Sequence, residues 1–587
     1  MKISTPNLMS VAVVTTWIIS AIFLLTTFIA PLALVVVKSL GEPFYQHFEE
    51  VLSSSAITTI IFRTLRLAAV VTVTCAILGY PAAYAITRLN KSWRAVVMTL
   101  IILPFLTSYL VRTYGWIAIL GNNGILATTA RALGYQGASL NGTQPGLVIA
   151  MTHMLLPLMI IPLFTAMQAI DSRQTLASGS LGCRPAETFV RIYYPQTVSG
   201  LLSGMLLVFI VSLGFFITPA LIGGTSETTV AMIIYSFINE LFDWGRSGSL
   251  AITLLGTVMV LLLVAAKFVD LAQMFGIKHQ LKTDRPRVSP SRQKTGRLTT
   301  AAARLAAGLP LQHKGLAISY GFLVVNLLLL VLPLLYVIAV SFQPLRLLAL
   351  PTNGFSLTWY YTAFNKQEWF IAGRNSLIIA FLATLLSVAV GFFLATRIRK
   401  AGKVTRLVIT GVAIGPLTVP HIVLALGIYG VFLQMGWTGS IWALSVAHAV
   451  VALPYAFINL SNGLAGYDER LDTAAASLGA RPLTSLRKVK FPLLKTSIFS
   501  AAAFGFLVSF DELIITLFIA GPALPTLPVR MWAATSQNIS PELAVVGTVL
   551  ILAVVVVFAA TRLFERNRPV VIADDMHHLA ADAGASK

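Results

Sequence analysis

The stretch Ser180-Leu-Gly-Cys-Arg-Pro185 returns 297 residues later as Ser477-Leu-Gly-Ala-Arg-Pro482. Each copy has a proline thirteen residues after its glycine, Pro195 and Pro492, and Ile192 or Val489 three residues before that proline. Ala177-Ser-Gly-Ser180 and Ala474-Ala-Ala-Ser477 offer a small-residue helical face leading into Gly182 and Gly479. A glycine can close such a turn at positive φ. Arg184-Pro185 and Arg481-Pro482 then open a second helix, where proline costs no hydrogen bond. The pattern predicts a helix–turn–helix written twice, its second helix ended by Pro195 and Pro492.

The surroundings of this loop are apolar. The 587 residues are 57% hydrophobic and 11% charged, with a mean hydropathy of +0.83, against roughly 25% charged in soluble domains. Apolar runs of about 20 residues are long enough to cross a bilayer core of about 30 Å as helices. Twelve such runs fall near 11–37, 65–86, 95–111, 146–169, 198–220 and 248–273, then 316–341, 376–396, 405–433, 441–463, 497–519 and 542–562. The first is too long for a signal-peptide core. Pro104 and Pro416 are expected to kink the third span of each half.

The repeat runs far beyond the loop. Gly79 and Pro104 map to Gly391 and Pro416; Pro157, Gly182, Pro195 and Ser212 map to Pro454, Gly479, Pro492 and Ser509. The change of offset, from 312 to 297, places fifteen extra residues in the first half between Pro104 and Pro157. The expected fold is an all-α polytopic membrane protein of about twelve transmembrane helices in two parallel six-helix repeats. Its parts are a first half, 1–273, a basic linker, 274–315, a second half, 316–562, and a tail, 563–587.

The formal charge of +21 sits mostly in short loops. Arg88, Lys91 and Arg94 follow the second span; Arg397, Arg399, Lys400, Lys403 and Arg406 hold the matching place in the second half. Nine Lys or Arg share the linker with one acid, Asp284. This positive-inside pattern puts both termini in the cytoplasm and makes the bilayer, not nucleic acid, the partner of the charge. Cys75 and Cys183 fit neither a disulfide framework nor a metal site, and His577-His578 reads as part of a solvated tail. No cofactor or metal is expected. Gly402-Lys403 lacks the glycine five residues earlier that a P-loop requires, so ATP hydrolysis would belong to another chain.

Asp511 and Glu512 are the unusual polar residues, lying roughly 21 Å along the eleventh span at 1.5 Å per residue. Intramembrane carboxylates are costly and face a cavity or a partner. Here they either attract a cationic solute or form a structural pair; the first half has Gly214-Phe215 instead. Tyr109, Tyr114 and Trp116 either stack on a passing cation or belong to the interfacial aromatic belt. His153 and His448 read as packing histidines.

With these residues in view, the loop resembles the EAA loop of ABC-importer permeases: Ala177, Gly182, Ile192 and Pro195, then Ala474, Gly479, Val489 and Pro492. The acidic first position of that motif is Leu176 and Thr473 here. Leu103 to Trp116, Gly121-Asn-Asn-Gly-Ile125 and Ser212 to Pro219 resemble the B-type permease of spermidine/putrescine importers. Ser509-Phe-Asp-Glu-Leu-Ile-Ile-Thr516 and Thr526-Leu-Pro-Val529 resemble its C-type partner. The resemblance implies a fused type I importer permease in a bacterial cytoplasmic membrane. An ATP-binding subunit dimer would dock on Ala177, Gly182, Arg184, Pro195, Ala474, Gly479, Arg481 and Pro492, and a periplasmic or lipid-anchored solute-binding protein would deliver a polyamine. The alternatives are a twelve-span secondary transporter, or the same class importing ferric iron, opines or aminophosphonates.

Overall fold

The computed structural model describes residues 19–137, 139–267, 311–351, 354–522, 524–537 and 539–566. The linker before residue 311, His577-His578, the tail beyond residue 566 and both termini lie outside the described residues. Among the described residues every regular element is a helix. Nine helices among the described residues are long and apolar enough to cross a membrane. In the first half these are span 1 (Ile19–Ser39), span 2 (Ser55–Arg88), span 4 (Gln144–Gln168), span 5 (Pro185–Leu213) and span 6 (Trp244–Ala265). In the second they are span 7 (Gly315–Val340), span 8 (Gln367–Arg399), span 10 (Ile441–Ala465) and span 11 (Pro482–Phe510). Spans 3 and 9 are bent pairs, and the helix Pro541–Arg566 takes the twelfth place.

Spans 3 and 9 are broken outright where kinks at Pro104 and Pro416 were expected. Lys91–Phe105 turns by 93° into Tyr109–Ala132, and Lys403–Thr418 by 105° into His421–Gln434. Both chains run on past the proline for less than a turn and reverse at extended residues, Ser108 with ψ 137° and Val419 with ψ 128°. Val419 is held extended by Pro420, whose ring disfavours the helical region for the residue before it. Spans 5 and 11 also end earlier than expected. They stop at Leu213 and Phe510, and short helices resume at Ile217–Ile222 and Ile514–Ile519.

Pro195 and Pro492 do not end a helix. Each lies at the second position of a long helix that is entered through a π-helical turn, Phe189–Tyr193 and Leu486–Lys490. The N–H of Tyr194 reaches Phe189 O and that of Phe491 reaches Leu486 O. The wider turn takes up the missing proline N–H and keeps its ring off the preceding carbonyl, so coupling helix and span form one 29-residue rod.

The halves are intertwined. Span 1 packs on His421–Gln434 of the second half, and span 7 packs on span 2 and on Tyr109–Leu120 of the first. A Cβ at Gly427 would stand 2.6 Å from Pro31 O, and one at Gly115 would stand 2.8 Å from Pro333 O. Gly115 and Gly427 are repeat equivalents. With lipid as apolar as leucine, close helix approach at small residues is what holds such crossings together.

Candidate functional site

The two repeated loops fold alike. Ser172–Ser180 and Arg470–Ser477 are the leading helices. In the first, Cys183 N–H bonds Ser178 O and Gly182 N–H bonds Gly179 O; in the second, Ala480 N–H bonds Ala475 O and Gly479 N–H bonds Ala476 O. These paired bonds are the Schellman closure, which requires a residue at positive φ. Gly182 has φ 82° and Gly479 φ 77°. A Cβ at either would meet nothing within 4 Å, so backbone conformation, not space, demands glycine. The residue before each glycine is thrust outward: Leu181 is 85% and Leu478 89% exposed. Leu176 and Leu483 are exposed beside them, and Ala177, Ala474, Arg184, Arg481, Pro195 and Pro492 lie along the same helix–turn–helix.

The loops differ in what clamps their two helices. In the first, Ser178 and Thr188 hydroxyls meet at 2.7 Å and Gln196 donates to Gln174 at 2.9 Å. In the second, Asp472 accepts from Tyr467 at 2.8 Å and Ser485 at 2.9 Å, and pairs with Lys490 at 3.0 Å. Burial opposes the charge on Asp472, but bonds from Lys490, Tyr467 and Ser485 outweigh it and hold the carboxyl below its ordinary range. Burial, then the Asp472 neighbour, push the Tyr467 phenol up to about 12. Asp472 precedes the motif position where the sequence has Thr473, so an acid serves the second loop from one residue upstream.

Deeper in the membrane, four chain breaks meet in two crossings related by the repeat. At one, Asp511, just past span 11, accepts the Tyr109 N–H at 2.9 Å from the break in span 3. At the other, Gly214, just past span 5, lies under the break in span 9: a Cβ there would stand 2.9 Å from Pro420 Cβ. Asp511 corresponds to Gly214, and Tyr109 to His421. Glu512 is buried, accepts from Ile515 N–H at 3.0 Å to open the short helix Ile514–Ile519, and faces His421 at 3.7 Å. Tyr109 meets the Phe215 ring at 5.7 Å. Beyond the crossings, away from the loops, rings join the halves in Phe216–Trp532, Tyr235–Phe518 and Trp244–Tyr429.

This twofold scheme of loops and breaks has a counterpart among known proteins. The sequence matches the family described as "Binding-protein-dependent transport system inner membrane component" twice, over residues 75–271 and 387–568. The chain belongs to this family. Its relatives include the spermidine/putrescine transport system permease protein PotB of Haemophilus influenzae, 30% identical over 34% of this chain and 72% of the relative. PotC of the same organism is 28% identical over 40% of this chain and 92% of the relative. PotC of Escherichia coli is 25% identical over 42% and 94%. Two copies of the family's domain are here joined in one inner-membrane polypeptide.

Within the fused permease, Tyr114 and Trp116 are enclosed by protein rather than facing lipid, at 2% and 4% exposure. The Tyr114 hydroxyl donates to Ser540 O at 3.0 Å, tying the halves together, and Trp116 meets the His153 ring at 5.8 Å. His153 lies 3.3 Å from Leu330 O, and His448 bonds Ser509 and Thr516 at 3.0 and 2.9 Å. Sequence reasoning missed His421 and Arg112, and singled out Tyr109 only for its ring. Tyr109 and Arg112 stood inside the stretch from Leu103 to Trp116, but nothing local marks a residue as part of a crossing between halves.

Proposed function

We propose that this chain is the complete translocation subunit of an ATP-driven importer, with a dimer of ATP-binding subunits seated on its two repeated loops. The observation that carries the reading is the pair of rigid helix–turn–helix knobs with matching exposed leucines. Covering one leucine side chain contributes about 1.5–3 kcal/mol, and a shared apex in both halves suits two identical sockets. The continuous rods of spans 5 and 11 then carry movement of the loops to the four chain breaks. A solute-binding protein delivers the solute at the opposite face. The basic residues between spans support a cytoplasmic location for both termini.

The solute is a polyamine or a related amine, as the names of the relatives suggest, with the buried carboxylate of Glu512 supplying negative charge where the halves cross. The test is reconstitution in liposomes with the ATP-binding subunit and the solute-binding protein. ATP-dependent uptake of labelled putrescine or spermidine is expected. Uptake driven by an ion gradient without any ATPase would make the chain a secondary transporter, and ATP-dependent uptake of a non-amine alone would overturn the solute.

A further inference from the structure

Arg112 lies in the protein interior, 1% exposed, one turn into the helix that follows the break in span 3. Neither Nη1 nor Nη2 has a hydrogen-bond partner. Its contacts are the Tyr109 ring, 4.4 Å from the guanidinium carbon, and Ser108 O, 3.5 Å from Nε. The charge of Asp511 acts on Arg112 without a direct bond, and a guanidinium stripped of water with no bonded counter-ion is strongly unfavourable. The nearest remedy is across the crossing. Asp511 binds the same helical turn through Oδ2 on the Tyr109 N–H, while its Oδ1 is buried without a partner. Glu512 is already engaged by Ile515 N–H and His421.

The repeat supplies its own control. At the crossing with an acid, Asp511, the partner break carries Arg112. At the equivalent crossing the acid is Gly214, and the position equivalent to Arg112 is Leu424, fully buried. Base and acid are present together or absent together, though they come from different halves of the chain. We propose that Arg112 and Asp511 are an inter-half latch: a positioning pair that closes into a direct ion pair in another step of the transport cycle and stands open in this conformation. A rigid-body shift of one half against the other suffices, since Arg112 lies in the helix Tyr109–Leu120 and Asp511 directly follows the helix Phe491–Phe510. The latch is a link between halves, and neither group touches the solute.

The inference rests on the permease reading, and the test separates the two. In the reconstituted complex, the wild type must first bind the ATP-binding subunit; if it does not, the permease reading fails before any variant is compared. Arg112→Gln and Asp511→Asn are each expected to lower the maximal uptake rate about tenfold, with the solute KM unchanged. The double variant is expected to be no worse than the poorer single, and the swap Arg112→Asp with Asp511→Arg to recover to within about threefold of wild type. If Arg112→Gln does not assemble, the swap decides alone. Independent losses that multiply in the double variant, a swap without recovery, or a shifted KM in Arg112→Gln would overturn the latch; a shifted KM would make Arg112 a solute contact instead.

Discussion

The two membrane crossings are built on one plan with opposite chemistry. Gly214 lies so close under Pro420 that a methyl group would have to displace it, while Asp511 reaches across and takes the Tyr109 N–H. The amide equivalent to that of Tyr109 is the His421 N–H, and Pro420 Cβ, 2.9 Å from where a Gly214 Cβ would stand, crowds the way to it. The two loops show the reverse: their turns, positive-φ glycines and protruding leucines coincide, and only the clamps behind them differ. In the proposed cycle, movement enters the molecule through two equal handles and arrives at two unequal crossings. A single chain that fuses both halves always brings one crossing of each kind.

The largest expected effect comes from damaging both handles. Gly182→Val with Gly479→Val forces a β-branched residue to positive φ, costing about 1–2 kcal/mol at each turn. Loss of the ATP-binding subunit on purification, or ATP hydrolysis without uptake, is expected. Full uptake with normal co-purification would remove the loops from their role. Next comes an exchange of the crossings. Gly214→Asp drives a side chain into Pro420, an overpacking cost of about 1–3 kcal/mol, and should lower the melting temperature of the purified chain. Asp511→Gly removes the acceptor of the Tyr109 N–H without crowding its neighbours, and should depress uptake more than it lowers that temperature. Equal thermal effects of the two would mean that the crossings are not chemically distinct.

The smallest effect concerns the clamps. Asp472→Asn removes the partner of Lys490, so amide exchange should quicken over Ala474–Leu478 and stay unchanged over Ala177–Leu181. Because the Asp472 carboxyl is held below its ordinary value, its contribution is present above the usual carboxylate range and is lost as pH falls through the lowered pKa. The wild type at such acid pH should therefore resemble the variant in this loop. Equal change in both loops would refute a clamp confined to the second.

Much of this was legible in the chain. The loop turn was readable because Gly182 and Gly479 act locally, through φ, and the spans because apolar length suffices. The fate of Pro195 and Pro492 was not: a proline announces a missing N–H, but whether the helix stops or widens into a π turn depends on the span it must join. Nor was the break at Ser108 readable, because the carboxylate that meets it, Asp511, lies in the other half, 402 residues from Tyr109; the break at Val419 had a local sign in Pro420. Arg112 looked like one residue of a motif, and only its position opposite Asp511 gives it meaning.

The central claim is that two equal loops each seat one ATP-binding subunit. Native mass spectrometry of the chain purified with that subunit tests it directly, in the wild type and in Leu181→Asp and Leu478→Asp. Two ATP-binding subunits per chain are expected in the wild type, with a weakened complex in each variant and similar losses for the two leucines. A wild-type ratio of one or none, or loss from only one of the two variants, would contradict it.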